Sequence, residues 1–384
     1  MKVAVLGYGT VGAGVYSMLS DAPGMEAGPV LVRPGKPVES FMVSDAALIF
    51  GDPTVDAVVE TLGGLDPAYS YGMRALEAGK HFITANKAMV AAHGLELAAL
   101  AREKGAAFLF SAACGGGVPF LHNLALSAET DRIEAVSGIL NGTTNYMLDA
   151  MQRRGLSYGN ALREAQSLGY AESDPTADVS GLDALRKMQL ACAVAFGVLP
   201  QSGMLCEGME HFTAADVEDI QSRGLVCRLL ARGSRAGESV SAYVEPVLFP
   251  RAAPESSVFT NNNMARYTGK RCGSIVLMGQ GAGRFPTASA VLRDLAAAQQ
   301  GARSMFPENC RAAEADNREA VHSYYIRTGG FAAVRLPLRS VLAQGEVVRA
   351  VTEPMSAEKM HALAQNIRKD GNDLFFAALE EELC

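Results

Sequence analysis

Apolar and polar positions along the first hundred residues alternate between two periods. Lys2–Leu6 is a short apolar run with β-branched positions, and helical spacing follows, with Val11, Val15, Met18 and Leu19 on one side. The runs at 30–32, 56–60, 81–84 and 107–110 have the length and composition of buried strands. Between them, 69–78 and 95–104 carry helical patterns that stop at Gly79 and Gly105. Strands alternating with helices predict a parallel, doubly wound α/β sheet over residues 1–118. Past Gly117 the rhythm changes. Residues 133–140 read as a strand, 145–153 and 161–168 as helices, 182–196 as the most apolar helix, and 240–248 and 274–278 as strands. A glycine-rich stretch at 279–286 precedes a helix over 288–298. The segment 301–320 is charged, lacks apolar periodicity and reads as a linker. Beyond it, 324–326, 331–342, 347–351, 357–368 and 374–379 alternate strand and helix as a small α/β tail.

Composition narrows the class. A chain of 384 residues with 49% hydrophobic and 20% charged positions is globular and long enough for two to three domains. Its 34 basic and 41 acidic residues give a net charge of -7, which argues against nucleic acid or an anionic membrane as partner. The charge-free stretch 105–128 is broken by Gly115, Gly116, Gly117, Pro119, His122 and Asn123, so it does not read as a bilayer span. The first strand begins at Lys2, which leaves no room for a signal peptide. Seven scattered cysteines without a C-x-x-C pair read as reduced thiols of a cytoplasmic protein, and no metal centre is expected.

Four motifs carry candidate chemistry. Gly7-Tyr-Gly-Thr-Val-Gly12 lies between a strand and a helix, the context in which glycines let a dinucleotide's diphosphate approach backbone at a helix N-terminus. An acid about 20 residues further on would hold the ribose of NAD. Arg33 and Lys36 stand there instead and Glu39 is the next acid, which tilts the reading toward NADP unless both cations are merely exposed loop charges. Asn86 and Lys87 follow a strand at the sheet's carboxyl end, where ligands bind; the alternative is an N-cap beside a solvated lysine. Glu172, Asp174 and Asp178 form either an ordinary solvated loop or a site for an ammonium group. Asp183 and Lys187 share one helix face. Asp183 is then either the third residue of a helix capped by Ser180 or the partner of a desolvated Lys187 whose pKa falls into an acid/base range.

In this order the motifs resemble homoserine dehydrogenase. The resemblance is carried by residues 7–12, Ala85-Asn-Lys-Ala88, Gly115-Gly-Gly-Val-Pro119, Gly138-Ile-Leu-Asn-Gly-Thr-Thr-Asn-Tyr146, the loop and helix 169–187, and the stretch 279–291, and it spans about residues 1–300. It implies an NAD(P)-dependent oxidoreductase that interconverts L-aspartate 4-semialdehyde and L-homoserine on the path to threonine and methionine. It also implies a Rossmann-type nucleotide domain completed by 279–300, a substrate-binding and dimerisation domain over 119–278, and a homodimer. Lys187 would be the acid/base, Asp183 its orienting partner, and Lys87 a neighbour of nicotinamide and substrate. Glu172 and Asp178 would hold the substrate ammonium, with Thr143 and Tyr170 completing the pocket. Gly7, Gly9, Thr10, Val11, Gly12, Arg33, Thr61, Gly63, Asn86, Lys87 and Gly283 would contact the cofactor. Two departures stand out. Ser111 replaces the glutamate with which relatives hold a monovalent cation, so no cation site is expected. Residues 321–384 resemble an ACT-type β-α-β-β-α-β module that is one strand short. The competing readings are another Rossmann dehydrogenase, whose neutral substrate would not need Glu172 and Asp178, and a non-catalytic amino-acid sensor. The presence of Lys87, Glu172, Asp183 and Lys187 argues against the second.

Overall fold

The computed structural model describes residues 1–35, 39–333 and 335–380. Its N-terminal sheet holds six strands, β1 (Lys2–Leu6), β2 (Glu26–Leu31), β3 (Met42–Val43), β4 (Ala57–Glu60), β5 (His81–Thr84) and β6 (Phe108–Leu109). All pair in parallel, in the order β3-β2-β1-β4-β5-β6. Every residue of β4 is buried, as expected of strands with helices on both faces. The order reverses between β1 and β4, which opens a crevice at their carboxyl ends.

The Arg284–Gln299 helix returns to this sheet and packs on α1 (Thr10–Leu19). Gly14 permits the contact, because a Cβ there would lie 2.9 Å from the Arg284 carbonyl oxygen. The segment 301–320 differs from the expected linker. Ser304 bridges to Phe108, Met305 and Phe306 are buried, and the Phe306 ring lies 4.8 Å from that of Phe110. Arg311–Glu314 pairs in parallel with Val198–Ser202. Its sequence, Arg-Ala-Ala-Glu, is mostly exposed, so no alternation betrays a strand held by backbone hydrogen bonds alone.

A second sheet, of ten strands, organises much of the rest of the chain. Strands 273–280, 262–269, 133–139, 225–236 and 239–250 lie side by side in that order, and four strands of the tail continue the sheet. Strand Leu374–Leu379 runs parallel to Ser239–Pro250, with Val247 opposite Ala378 and Leu248 opposite Leu379. The tail is not one strand short. Tyr324–Gly329, Leu338–Ala343, Val347–Thr352 and Leu374–Leu379 supply all four strands, with the last beside the first. What is reduced is the first helix, Gly330–Ala333. None of the described helices is long and apolar enough to cross a membrane.

Candidate active site

The glycine turn after β1 is built for close approach. Gly7 sits at φ +100°, and a Cβ on Gly12 would fall 2.1 Å from the Gly7 carbonyl oxygen. A Cβ on Gly9 would meet nothing within 4 Å, so the turn faces open space at the start of α1, where Thr10 and Val11 form the first turn and no side chain caps it. A cavity of about 510 Å³ lies here, lined by Gly7, Gly9, Arg33, Thr61 and Gly63 among others. Arg33 is exposed at its wall, while Lys36 lies outside the described residues.

One residue that the sequence did not single out organises this end of the sheet. Glu60 closes β4 with no exposed surface. Its Oε1 accepts from the amides of Leu62 and Gly63 at 2.6 and 3.1 Å, and its Oε2 accepts from the Thr84 hydroxyl at 2.5 Å. Thr84 Oγ1 in turn accepts from the Asn86 amide at 2.9 Å. Asn86 caps the Lys87–Lys104 helix by accepting from the Met89 amide, and its Nδ2 donates to the Gly64 carbonyl at 2.6 Å. Glu60 thus ties the loop after β4 to the loop after β5 and fixes where Lys87 begins its helix. An acid at a strand end looks like a solvent-facing residue, so no signal distinguished it.

A second cavity, about 590 Å³, is lined by Lys87 at the start of its helix and by Asn141, Thr143, Tyr170, Glu172, Asp178, Asp183 and Lys187. Gly283 lines this cavity rather than the one at the glycine turn. At its base Asp183 gathers three donors. Lys187 Nζ lies 2.7 Å from Asp183 Oδ2, Lys87 Nζ lies 3.1 Å from Oδ1, and Asn141 Nδ2 donates to Oδ2 at 2.9 Å. Lys187 also donates to the Leu140 carbonyl at 2.6 Å. Asn141 spans two acids, because its Nδ2 donates to Asp178 Oδ1 at 2.7 Å as well. It also caps the Gly142–Arg154 helix, a role that an Asn before a helical run signals.

The electrostatics correct one expectation. Burial alone would push the Lys187 ammonium down, but the charge and hydrogen bond of Asp183 outweigh it, so Lys187 is held above the ordinary lysine value. Burial likewise opposes the Asp183 charge, and the ammonium groups of Lys187 and Lys87 hold its carboxyl well below the usual range. Ser180 does not cap the helix. Gly181 takes the N-cap position at φ +84° with no side-chain hydrogen bond, and Asp183 is free to serve the lysines. Burial raises the Asp178 carboxyl, partly offset by the hydrogen bond from Asn141. The Thr143 hydroxyl donates to the Tyr170 carbonyl at 2.6 Å. Glu172 is exposed on the rim, and Asp174 is turned to its own loop, accepting from the Thr176 amide and hydroxyl. Cys114 lies behind Lys187, and burial pushes its thiol up to about 12, so it stays protonated. Ser111 is buried, with its amide and hydroxyl both donated to Asp294, whose carboxyl burial pushes up to about 7. An ammonium group held beside a carboxylate at the base of an open cavity can give or take a proton at a bound oxygen.

Comparison with known proteins agrees with this geometry. Residues 7–111 match the family model described as homoserine dehydrogenase, NAD binding domain, and residues 119–296 match the one described as homoserine dehydrogenase. The homoserine dehydrogenase of Synechocystis is 39% identical over 313 residues, covering 77% of this chain and 72% of that one. A solved homoserine dehydrogenase from Thiobacillus denitrificans superposes with a TM-score of 0.87 at 29% identity, covering 99% of this chain and 98% of that one. A hyperthermophilic archaeal homoserine dehydrogenase, solved in complex with NADPH, shares the fold at a TM-score of 0.68 and 24% identity, over 81% of this chain and 99% of that one.

Proposed function

The chain belongs to the homoserine dehydrogenase family, an NAD(P)-dependent oxidoreductase acting on a small amino-acid substrate, and we propose that Lys187 is its acid/base and NADP its preferred cofactor. The observation that carries the assignment is Lys187 itself, a buried ammonium with contacts of 2.7 Å to Asp183 and 2.6 Å to the Leu140 carbonyl at the base of an open cavity. The glycine turn fits a dinucleotide, since no Cβ can be accommodated at Gly12 and open space lies beside Gly9. A nicotinamide cofactor held there would supply the hydride chemistry.

The chain's own residues then have defined work. Lys187 gives a proton to the aldehyde oxygen during reduction and removes it from the homoserine hydroxyl during oxidation. Asp183 orients that ammonium, and Lys87 shares the same carboxylate from the cofactor side. Asp178 and Glu172 hold the substrate ammonium together with the Tyr170 carbonyl, which Thr143 keeps in place. Residues 1–118 with 279–306 form the nucleotide domain and 119–278 the substrate domain, and the enzyme serves threonine and methionine synthesis. Arg33 at the nucleotide cavity supports a 2′-phosphate, as does the NADPH of the archaeal neighbour. Homoserine-dependent reduction of NADP+ and NAD+ tests this reading. A lower KM for NADP+ is expected; a marked preference for NAD+ refutes the cofactor choice, and no turnover with either refutes the activity.

The same proposal includes a homodimer built on the edge of the second sheet. Gly273–Gln280 is an edge strand whose Val276 and Met278 are 43% and 59% exposed, an apolar edge that monomers usually protect. Sedimentation should give twice the 40.4 kDa of one chain, and Met278→Lys should move the mass toward the monomer. A monomeric wild-type protein would rule the dimer out.

A further inference from the structure

Asn141 uses the whole hydrogen-bonding capacity of its carboxamide. Its Oδ1 accepts from the Thr144 amide at 2.8 Å and from the Thr144 hydroxyl at 3.0 Å. A backbone N–H can be met only by the oxygen, so the NH2 end is turned toward the acids. There Nδ2 donates to Asp178 Oδ1 at 2.7 Å and to Asp183 Oδ2 at 2.9 Å. The side chain is 5% exposed, and its two acidic partners lie 37 and 42 residues further along the chain. One carboxamide thus joins the loop after strand Ile133–Ile139, the short helix Thr176–Val179 and the Leu182–Phe196 helix that carries Lys187.

Capping alone does not require an asparagine. Ser and Asp cap helices about as well, but a hydroxyl has one hydrogen to give and a carboxylate has none. Of these side chains only Asn accepts from the helix and still supplies two donors. The donors matter because Asp178 and Asp183 are like charges set side by side. Burial raises the Asp178 carboxyl, the hydrogen bond from Asn141 lowers it, and the charge of Asp183 raises it again. Neighbouring carboxylates without such a donor take up a proton more readily. A proton on Asp178 would weaken its hold on an ammonium group, and a proton on Asp183 would deprive Lys187 of its charged partner.

We propose that Asn141 is a positioning residue for the reaction. It holds Asp178 and Asp183 on the two hydrogens of one amide, so that the acid receiving the substrate ammonium and the acid orienting Lys187 keep one fixed arrangement. The inference rests on the dehydrogenase reading given above and adds a residue that acts through others. Asn141 itself exchanges no proton with the substrate.

Asn141→Ser and Asn141→Asp both keep a capping oxygen, so they separate the bridge from the cap. The test is steady-state oxidation of homoserine by the full chain, with thermal unfolding and NADPH binding followed on the same proteins. Asn141→Ser should lower kcat/KM for homoserine about 10–100-fold, as expected when charged acceptors lose a donor, through both a higher KM and a lower kcat. NADPH affinity should be unchanged, because Asn141 lines the cavity of Lys187 and not the one at the glycine turn. Asn141→Asp should show the same losses and also move the alkaline limb of oxidation to higher pH. In that range a third ionised carboxylate would stand beside the one that Lys187 holds. A lower melting temperature with kcat and KM unchanged in both variants would overturn the inference in favour of a cap alone. A raised KM with kcat and the alkaline limb unmoved would overturn the joint role, leaving Asn141 to serve Asp178 only. A loss of NADPH affinity equal to the loss in kcat/KM would overturn it in favour of a general loosening. A wild-type chain that did not oxidise homoserine would overturn the reading beneath it as well.

Discussion

Replacing Lys187 by alanine should lower turnover with homoserine by roughly 10²–10⁴-fold, the span usual for losing a general acid/base, while leaving reduced-cofactor affinity within about twofold. The split follows from position. Lys187 lines the substrate cavity and does not line the cavity at the glycine turn. The pH dependence gives an independent check with a definite sign. Homoserine oxidation needs the unprotonated amine, and Asp183 holds the ammonium above the ordinary lysine value, so turnover for oxidation should still be rising well into the alkaline range. Reduction of the semialdehyde needs the protonated form and should be flat at neutral pH. Asp183→Asn removes the charge that opposes burial, so the alkaline limb should move to lower pH. Full turnover in Lys187→Ala, or an unmoved limb in Asp183→Asn, would remove the assigned role.

Much of the fold could be read along the chain because local pattern and tertiary burial agree there. The Leu182–Phe196 helix has the predicted bounds, since its apolar run is stopped on both sides by glycines in the left-handed region. The N-terminal strands and the glycine turn were legible for the same reason. The failures occur where backbone pairing or distant partners decide. Arg311–Glu314 is a strand because Val198–Ser202 lies beside it, and nothing in Arg-Ala-Ala-Glu says so. The tail's second strand, Leu338–Ala343, has mixed and mostly exposed residues, which merged it with the preceding helix in the sequence reading. At the site, Lys187 and Asp183 were visible as a pair, but the sign of the Lys187 shift was not. It depends on both groups being buried together with Asn141 behind them. Glu60 was missed because its meaning lies in what surrounds it, with Thr84 standing 24 residues away.

Asp216→Ala should destabilise the whole chain by about 3–5 kcal/mol, because it leaves the guanidinium of Arg327 buried without its main partner. Arg327 stands on the first strand of the tail, and its side chain is 9% exposed against 0% for Asp216. It donates to Asp216 Oδ1 at 2.8 Å and to the His211 carbonyl at 2.8 Å, and pairs with Asp373 on the tail itself. Asp216 has a second task, since its Oδ2 accepts from the amide and hydroxyl of Thr213 and completes the cap of the Ala214–Ser222 helix. The loss of that cap adds about 1 kcal/mol. Thermal unfolding should show the decrease in a single transition. The double variant Asp216→Ala, Arg327→Met should recover part of it, because removing both charges ends the burial of an unpaired one. A tail that acted as a tethered module would give a different result, with the tail melting early and the catalytic domain unaffected. The contacts argue against that outcome. Glu207 is bound by Arg368 of the tail at 2.7 and 2.9 Å, and its neighbours Cys206 and Met209 hold the carbonyls of Ser180 and Val179, just ahead of the helix that carries Lys187. Loosening the tail should therefore lower turnover as well as melting temperature, and unchanged values for both in Asp216→Ala would show that the seam is dispensable.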